Sequence, residues 1–372
     1  MTSIYDKYGL KRVVNASGKM TALGVSKYVD AALEAQQFGG KNFFVMDDLY
    51  VQVGRYIAEL IGAGAEDSQV VSSASAGIAQ SVAGLIGRGS QFHVYNPYSP
   101  RIEAREIIVP KGHNVDYGAP VQTMVELGGG RVVEAGYANK CTPELVADMI
   151  TDQTVAILFI KSHHTVQKSM LTVEEAAAVA REHNLPLIVD AAAEQDLTGY
   201  LEKGADLVIY SGAKALEGTS SGLVVGKREY IEWVRLQSHG IGRAMKIGKE
   251  NILGLAAAIE DYLEHGAESG ESMQNRLAPF MDALNELPFV EAKMVQDLAG
   301  REIYRAQVTF ADELGISARD VMESLKDGDP AIYIREHQVN NGILEFDIRS
   351  VNQEEMDLIV SSLTSIIEAA RG

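Results

Sequence analysis

Short apolar runs alternate with helix-length amphipathic segments between residues 69 and 227. The runs are rich in Val and Ile without strict apolar and polar alternation, which is typical of strands covered on both faces. They lie at 69–73, 106–110, 131–135, 154–161, 185–191, 206–212 and 222–227. Helix start signals occur between them, such as Thr142 before Pro143 and a capping box of Thr172 with Glu175. This alternation predicts a mostly parallel α/β sheet with helices on both faces.

The pattern changes near residue 250. A long helical stretch at 251–265 is followed by another helix, and a final helix begins at about residue 353. Strand-like segments between them lie at 302–310, 331–337 and 342–350. This order predicts a smaller α+β domain of antiparallel strands after the large sheet.

Composition narrows the classes of function. The 33 Lys and Arg against 51 Asp and Glu give a net charge of -18, which repels polyanions and disfavours nucleic acid as a partner. The single cysteine, Cys141, excludes an intramolecular disulfide and a cysteine-based zinc cluster. No apolar run approaches the roughly 18 to 20 residues of a membrane helix, and no signal-peptide core is present. We therefore expect a cytoplasmic protein without a membrane partner.

Common nucleotide and metal motifs are absent or incomplete. The segment GAGAED at 62–67 fails the last position of a dinucleotide fingerprint, and no P-loop occurs. His163 and His164 are adjacent and therefore project in different directions, and no H-E-x-x-H spacing is found. We predict no metal site.

Three other features point to one ligand. Asp190 closes the strand-like LPLIVD, at the strand end where open α/β sheets bind ligands, although a helix cap or turn would also explain it. Lys214 follows the end of the next strand, where an exposed lysine is the structural alternative. Small residues in SSASAG at 72–77 open a helix whose N-terminus favours an anion, although a tightly packed turn has the same composition.

Together these features are the parts of a pyridoxal 5'-phosphate site. A lysine forms the Schiff base, an aspartate keeps the pyridine nitrogen protonated, and a helix N-terminus holds the phosphate. The small neighbours of Lys214 leave room for the cofactor, and Ser211, three residues earlier, is placed to donate to its phosphate.

The quoted motifs resemble the fold-type I pyridoxal-phosphate enzymes, whose large domain is like that of aspartate aminotransferase. Among these, SSASAG, IVDAAAEQD and YSGAKALEGTSSGLVVG, with VVNASGK near the start and LEFDIRSV near the end, resemble the group around bacterial selenocysteine synthase. Within that group the chain looks most similar to the D-glucosaminate-6-phosphate ammonia-lyases. VVNASGK falls within the first twenty residues, so we expect no N-terminal tRNA-binding domain. The resemblance implies an N-terminal segment at the active site (1–45), a large cofactor domain (46–248) and a C-terminal domain (249–372).

The resemblance also implies roles for individual residues. Lys214 would carry the cofactor and move protons, and Asp190 would pair with the ring nitrogen. His113 would stack on the ring, with a solvated loop histidine as the alternative. Thr219 would reach the phosphate of a neighbouring subunit, which implies a homodimer or a larger homo-oligomer. The phosphate ligands would be Ser75, Ala76, Gly77 and Ser211.

Further residues would bind the substrate. Arg349 matches an arginine that holds the substrate carboxylate, and a strand-end salt bridge is its alternative. For a second phosphate we expect cations among Lys19, Arg243, Lys246 and Lys249, each of which has a surface charge as its alternative. Ala193 departs from the family, since some relatives use a polar residue there to contact the ring hydroxyl.

The expected function is that of a carbon-nitrogen lyase. It would eliminate water from a phosphorylated amino sugar acid and release ammonia, with Lys214, His163 or His164 protonating the leaving hydroxide. The alternatives are an L-seryl-tRNA selenium transferase-like enzyme, another pyridoxal-phosphate lyase or aldolase acting on a small amino acid, and a non-catalytic protein that keeps the fold.

Overall fold

The chain is described by a computed structural model that covers residues 3–162, 164–297 and 301–371. It divides into two compact units. The larger unit is Tyr28–Ala267, and the smaller unit combines Met1–Lys27 with Glu268–Gly372. None of the helices within the described residues has the length and hydrophobicity needed to span a membrane.

The strands and helices of the described residues are numbered in chain order. The strands are β1 (Val13–Ala16), β2 (Asp67–Val71), β3 (Glu106–Pro110), β4 (Arg131–Ala135), β5 (Thr154–Ile160), β6 (Leu187–Asp190), β7 (Leu207–Ser211), β8 (Gly222–Gly226), β9 (Val290–Gln296), β10 (Tyr304–Phe310), β11 (Ala331–Ile334) and β12 (Ile343–Phe346). The α-helices are α1 (Ile4–Tyr8), α2 (Asp30–Lys41), α3 (Met46–Ile61), α4 (Ala74–Gly87), α5 (Gln91–Tyr95), α6 (Val121–Leu127), α7 (Pro143–Ala147), α8 (Val173–Glu182), α9 (Gly199–Glu202), α10 (Arg228–Leu236), α11 (Lys249–His265), α12 (Gly270–Asn285), α13 (Ala318–Asp327) and α14 (Gln353–Arg371).

The larger unit is built on one sheet with the strand order β2-β8-β7-β6-β5-β3-β4. The pairs from β7 to β4 are parallel, and only β8 runs antiparallel to its neighbours β2 and β7. The mostly parallel sheet predicted from the apolar runs is therefore confirmed. Because β2 and β7 both run opposite to β8, the carboxyl ends of β2, β3, β5, β6 and β7 all lie along one edge of the sheet.

Two apolar clusters cover the two sides of this sheet. One contains residues of α4 and α10 together with Leu158, Ile188 and Ile209, and we call this side the α4 face. The other contains residues of α3, α8 and α11 together with Phe159 and Val189, and we call this side the α8 face. Successive strand residues point to opposite sides, so Asp190 and Ser211 belong to the α4 face.

The unit boundaries differ from the predicted domains. Helix α11 was predicted to open the C-terminal domain, but it packs on α2 and α3 and buries Ile252, Leu255 and Ile259 in the core of the larger unit. The predicted N-terminal segment is also divided, because β1 pairs in parallel with β11 of the smaller unit, whereas α2 belongs to the larger one.

The smaller unit contains an antiparallel sheet in the order β12-β10-β9 and the separate pair β1-β11. Its core includes apolar residues of α12, α13 and α14. Antiparallel strands were predicted here, and β10 and β12 confirm them. The segment at 331–337 was expected to be an antiparallel strand, but β11 pairs in parallel with β1, and β9 was not predicted.

Candidate active site

Three predicted site features meet at the carboxyl edge of the large sheet. Asp190 is the last residue of β6, Lys214 follows the end of β7, and α4 begins just after β2. Asp190 and Ser211 point to the α4 face, the side on which α4 itself packs. This is the edge at which open α/β sheets bind ligands.

Asp190 has a buried carboxylate. It is 6% exposed, and its Oδ1 accepts a hydrogen bond from the N–H of Ala192 at 3.1 Å. Burial raises the pKa of Asp190 to about 6, while the Ala192 bond and the positive charge of Lys214 act in the opposite direction. A buried carboxylate whose pKa is raised in this way fits a ligand that brings a positive charge, such as a protonated pyridine nitrogen.

Lys214 lies in the turn after β7. Its backbone N–H donates to the carbonyl of Ser211 at 3.4 Å, and its side chain is partly buried. The structure therefore does not support the alternative that Lys214 is an exposed surface lysine. The positive charge of Lys214 also acts on Asp190, so the two ionisable groups lie near each other at the carboxyl edge of the sheet.

The start of α4 is held close to the sheet. The hydroxyl of Ser73 caps the helix by accepting from the N–H of Ala76 at 3.0 Å, and the N–H of Gly77 donates to the Ser73 carbonyl at 2.9 Å. Gly222 on β8 lies beneath this turn, where an added Cβ would be 2.4 Å from the carbonyl carbon of Ser73. Because the N–H groups of Ala76 and Gly77 are engaged within the helix start, their binding of phosphate stays a prediction.

Tyr117 lies next to the start of α4 and is not among the residues predicted from the sequence. It follows β3, packs against the α4 face, and has its hydroxyl oxygen 3.2 Å from the hydroxyl oxygen of Ser75. Burial raises the pKa of Tyr117, and the negative charge of Asp190 adds to this effect. Tyr117 lies in the same segment, VPKGHNVDYG, four residues after His113.

His113 lies elsewhere. It is fully buried, its Nδ1 accepts from the N–H of Ile160 at 3.3 Å, and its ring meets the edge of Phe159 at 4.6 Å between centroids. Phe159 belongs to the α8 face, opposite Asp190. Burial lowers the pKa of His113 to about 4, so the ring is neutral at physiological pH. The structure thus rules out the solvated loop histidine, and the predicted stacking on the cofactor has no support from these contacts.

Thr219 is fully buried within the single chain. Its hydroxyl donates to the backbone carbonyl of Asn251 at 2.9 Å, and its methyl group lies against Gly254 on α11. A side chain with no exposed surface does not present its hydroxyl to a second subunit. In the single chain the hydroxyl therefore contacts α11, and the predicted contact with a neighbour's phosphate stays a prediction.

In the smaller unit Arg349 lies close to the backbone that precedes Lys19. Arg349 donates from Nε and Nη2 to the two carboxylate oxygens of Asp347, so the salt bridge considered as its alternative is present. Gly18, which precedes Lys19, comes so close that an added Cβ would lie 3.2 Å from Nη2 of Arg349. The role of Arg349 and Lys19 in binding substrate stays a prediction.

The remaining cations surround a cleft of about 840 Å³ in the larger unit. Arg243 and Lys246 are exposed at its rim, together with His239 and Asp47. The ammonium of Lys249 donates to the carbonyls of Gly39 and Gly40 at the end of α2, so it stabilises that helix terminus. His164 is exposed and donates its N–H to the Ser162 hydroxyl, whereas His163 lies outside the described residues.

These residues fit pyridoxal phosphate. Asp190 supplies a buried carboxylate for the ring nitrogen, Lys214 supplies the amine, and the start of α4 with Ser75 supplies a phosphate cradle above Gly222. With the parallel sheet that holds them, they define a fold-type I pyridoxal-phosphate enzyme.

Comparison with known proteins identifies the family. A model of the L-seryl-tRNA selenium transferase (SelA) family matches residues 99–286. A D-glucosaminate-6-phosphate ammonia lyase of Salmonella typhimurium (strain 14028s / SGSC 2262) is 44% identical over 369 residues, which are 99% of each chain. A 5'-C-glycyluridine monooxygenase-decarboxylase of a Streptomyces sp is 35% identical over 98% of this chain and 92% of that protein. A solved structure of a D-glucosaminate-6-phosphate ammonia-lyase matches with a TM-score of 0.94 and 43% identity over 100% of both chains. The chain belongs to the SelA family of pyridoxal-phosphate enzymes.

Proposed function

We propose that this enzyme converts D-glucosaminate 6-phosphate into 2-keto-3-deoxy-6-phosphogluconate and ammonia. The observation that carries the proposal is 44% identity over the full chain to a D-glucosaminate-6-phosphate ammonia lyase. Asp190, Lys214 and the start of α4 at one sheet edge supply the groups that this chemistry needs.

Pyridoxal phosphate, when bound, supplies an electron sink that stabilises negative charge at the α-carbon of an amino acid. Asp190 would hold the ring nitrogen in its protonated form, because the buried carboxylate gains a cationic partner there. Lys214 would hold the cofactor and then take the proton from the α-carbon of the substrate. Ser75 and Ser211 would contact the phosphate.

The overall reaction loses one water molecule in the elimination and takes up one in the hydrolysis. The α-carbon loses a proton, the β-carbon loses its hydroxide, and hydrolysis of the resulting carbon-nitrogen bond releases ammonia and leaves a ketone. Lys214 or His164 would protonate the leaving hydroxide. His163, the other candidate for this proton transfer, lies outside the described residues.

Substrate binding would use cationic side chains. Arg349 suits the carboxylate because its planar guanidinium can donate two parallel hydrogen bonds. Lys19, Arg243 and Lys246 are the candidates for the 6-phosphate. Lys249 is a weaker candidate, because its ammonium already binds two backbone carbonyls.

The experiment is a substrate comparison with the cofactor-loaded enzyme. We expect release of ammonia and a 2-keto acid from D-glucosaminate 6-phosphate, and none from 5'-C-glycyluridine or seryl-tRNA. Lys214→Ala should abolish turnover, whereas Lys203→Ala, which removes an exposed lysine of the same unit paired with Glu174, should leave it unchanged. Turnover of another substrate with none of the sugar acid phosphate would refute the named reaction.

The proposed setting is a homo-oligomer in the cytoplasm with no nucleic acid partner. The net charge of -18 supports the exclusion of polyanions. Light scattering of the purified enzyme tests the oligomer, and a gel shift with tRNA at low salt tests the exclusion of nucleic acid. A monomeric enzyme with full activity would refute the first, and a stable tRNA complex would refute the second.

A further inference from the structure

Tyr117 lies near two residues of the candidate cofactor site, Ser75 and Asp190. Its hydroxyl oxygen lies 3.2 Å from that of Ser75, in the first turn of α4. The tyrosine also lies within the electrostatic influence of Asp190, the residue assigned to the ring nitrogen. Tyr117 is therefore close to the residues assigned to the phosphate and lies near the carboxylate assigned to the ring nitrogen.

The two aromatic candidates after β3 point to different sides of the sheet. Tyr117 packs with the apolar residues of the α4 face, to which Asp190 and Ser211 also belong. The ring of His113 contacts Phe159 of the α8 face, and its Nδ1 is occupied by the backbone of β5. Of these two rings, only that of Tyr117 shares a face with Asp190.

We propose that Tyr117 lines the cofactor site and that its hydroxyl positions Ser75 for the cofactor phosphate. The proposal rests on the cofactor site and not on the identity of the substrate.

The direction of the hydrogen bond between Tyr117 and Ser75 determines which proton the serine can donate to a phosphate. A serine hydroxyl has one proton to donate, and a phosphate oxygen accepts. When Tyr117 donates to Ser75, the serine keeps its own proton for the phosphate. Burial raises the pKa of Tyr117 and outweighs the lowering by its hydrogen bond with Ser75, so the phenol holds the proton that this arrangement requires. Tyr117 is therefore a positioning residue for the phosphate.

The test compares pyridoxal 5'-phosphate with pyridoxal, which lacks the phosphate, by titrating the cofactor-free enzyme and following absorbance. Tyr117→Phe should weaken pyridoxal phosphate about twofold to tenfold, the range for one hydrogen bond, and leave pyridoxal unchanged. Tyr117→Ala should weaken both ligands, because the ring itself is removed. The same Phe change should have no effect on pyridoxal phosphate in a Ser75→Ala background, since its partner is gone.

Tyr98→Phe is the matched control. The Tyr98 hydroxyl also makes one hydrogen bond, to the carbonyl of Leu127 at 2.8 Å, and Tyr98 lies outside the site. It should leave both affinities unchanged, and thermal unfolding of the cofactor-free variants should show that each is folded. Equal loss of both ligands in Tyr117→Phe, no loss of either, or the same loss without Ser75 would overturn the proposal. Turnover of the unmodified enzyme tests the proposed reaction separately, because these titrations contain no substrate.

Discussion

Arg349 and Asp347 form a two-point ion pair, with Nε 2.9 Å from Oδ1 and Nη2 2.8 Å from Oδ2. Asp347 is fully buried, and its Oδ2 also accepts from Nε of Arg305 at 3.0 Å. Burial alone would raise the pKa of Asp347, but the bonds and charges of Arg349 and Arg305 outweigh it and lower the pKa to about 2. The plane of the Arg349 guanidinium is thus fixed by a buried carboxylate.

Asp347→Asn should therefore destabilise the protein strongly. Removing this charge leaves two guanidinium groups without their shared carboxylate, which costs about 3 to 5 kcal/mol for a buried pair. Urea unfolding measures the change. Glu336→Gln is the control, because its ion pair with Lys326 is partly exposed to solvent and should contribute little.

Asp347 makes the free energy of unfolding depend on pH in a defined direction. The folded pKa of Asp347 lies below its unfolded value, so its contribution is present above about pH 4 and is lost as the pH falls towards 2. The unmodified protein should lose this contribution in that range, whereas Asp347→Asn has none to lose. If Asp347→Asn lowers the free energy of unfolding by no more than Glu336→Gln does, the ion pairs of Asp347 with Arg349 and Arg305 do not stabilise the fold as argued.

Arg349→Ala should chiefly raise KM. A carboxylate contact made equally in ground and transition states is uniform binding, and its loss leaves kcat nearly unchanged. Hydrogen bonds to charged groups correspond to an increase in KM of about tenfold to a hundredfold. Steady-state kinetics with D-glucosaminate 6-phosphate measures both constants.

Arg276→Ala controls for structural damage near Arg349. Arg276 donates to the carbonyls of Ile348 and Val351 on either side of Arg349, so its removal should lower stability without a specific change in KM. A drop in kcat at constant KM in Arg349→Ala would assign this arginine a different role.

The large sheet could be predicted because its strands are buried on both faces. Such strands appear as continuous apolar runs, and β3 and β4 have the predicted bounds. The smaller unit was harder to predict. Strand β9 is partly exposed along most of its length, so it gives no apolar run, and the pairing of β1 with β11 joins segments far apart in the sequence.

Asp190 and Lys214 could be placed because their positions follow directly from the ends of β6 and β7. His113 could not be oriented, because it lies in a 3-10 turn after β3, where the alternation of a strand no longer decides which face a side chain takes. For the same reason the sequence did not separate it from Tyr117. The subunit contact of Thr219 came from the family resemblance, whereas its packing against α11 could not be predicted, because it depends on a helix more than thirty residues later.

Thr219→Val should lower stability and leave cofactor affinity unchanged. Valine keeps the shape but loses the hydrogen bond to the Asn251 carbonyl, at a cost of about 0.5 to 1.5 kcal/mol. Ser220→Ala, an exposed neighbour, is the control for stability. A large loss of affinity for pyridoxal phosphate at normal stability would restore the predicted contact with a neighbour's phosphate.

Asp190→Asn should reduce turnover by orders of magnitude. The amide carries no charge to hold the ring nitrogen protonated, so the electron sink weakens, although Lys214 can still bind the cofactor. Measured kcat together with cofactor absorbance separates the two effects. Near-normal turnover in this variant would remove Asp190 from its assigned role.

The same substitution should stabilise the cofactor-free protein at neutral pH. Burial raises the folded pKa of Asp190 to about 6, above its unfolded value, so the folded state is penalised as the pH rises from about 4 through 6. Asparagine has nothing to ionise, and above pH 7 it should be more stable by on the order of 3 kcal/mol. Urea unfolding of both proteins without cofactor should show this gap at pH 7.5 and little of it at pH 4. A gap of constant size across that range would mean that the charge of Asp190 is not its cause.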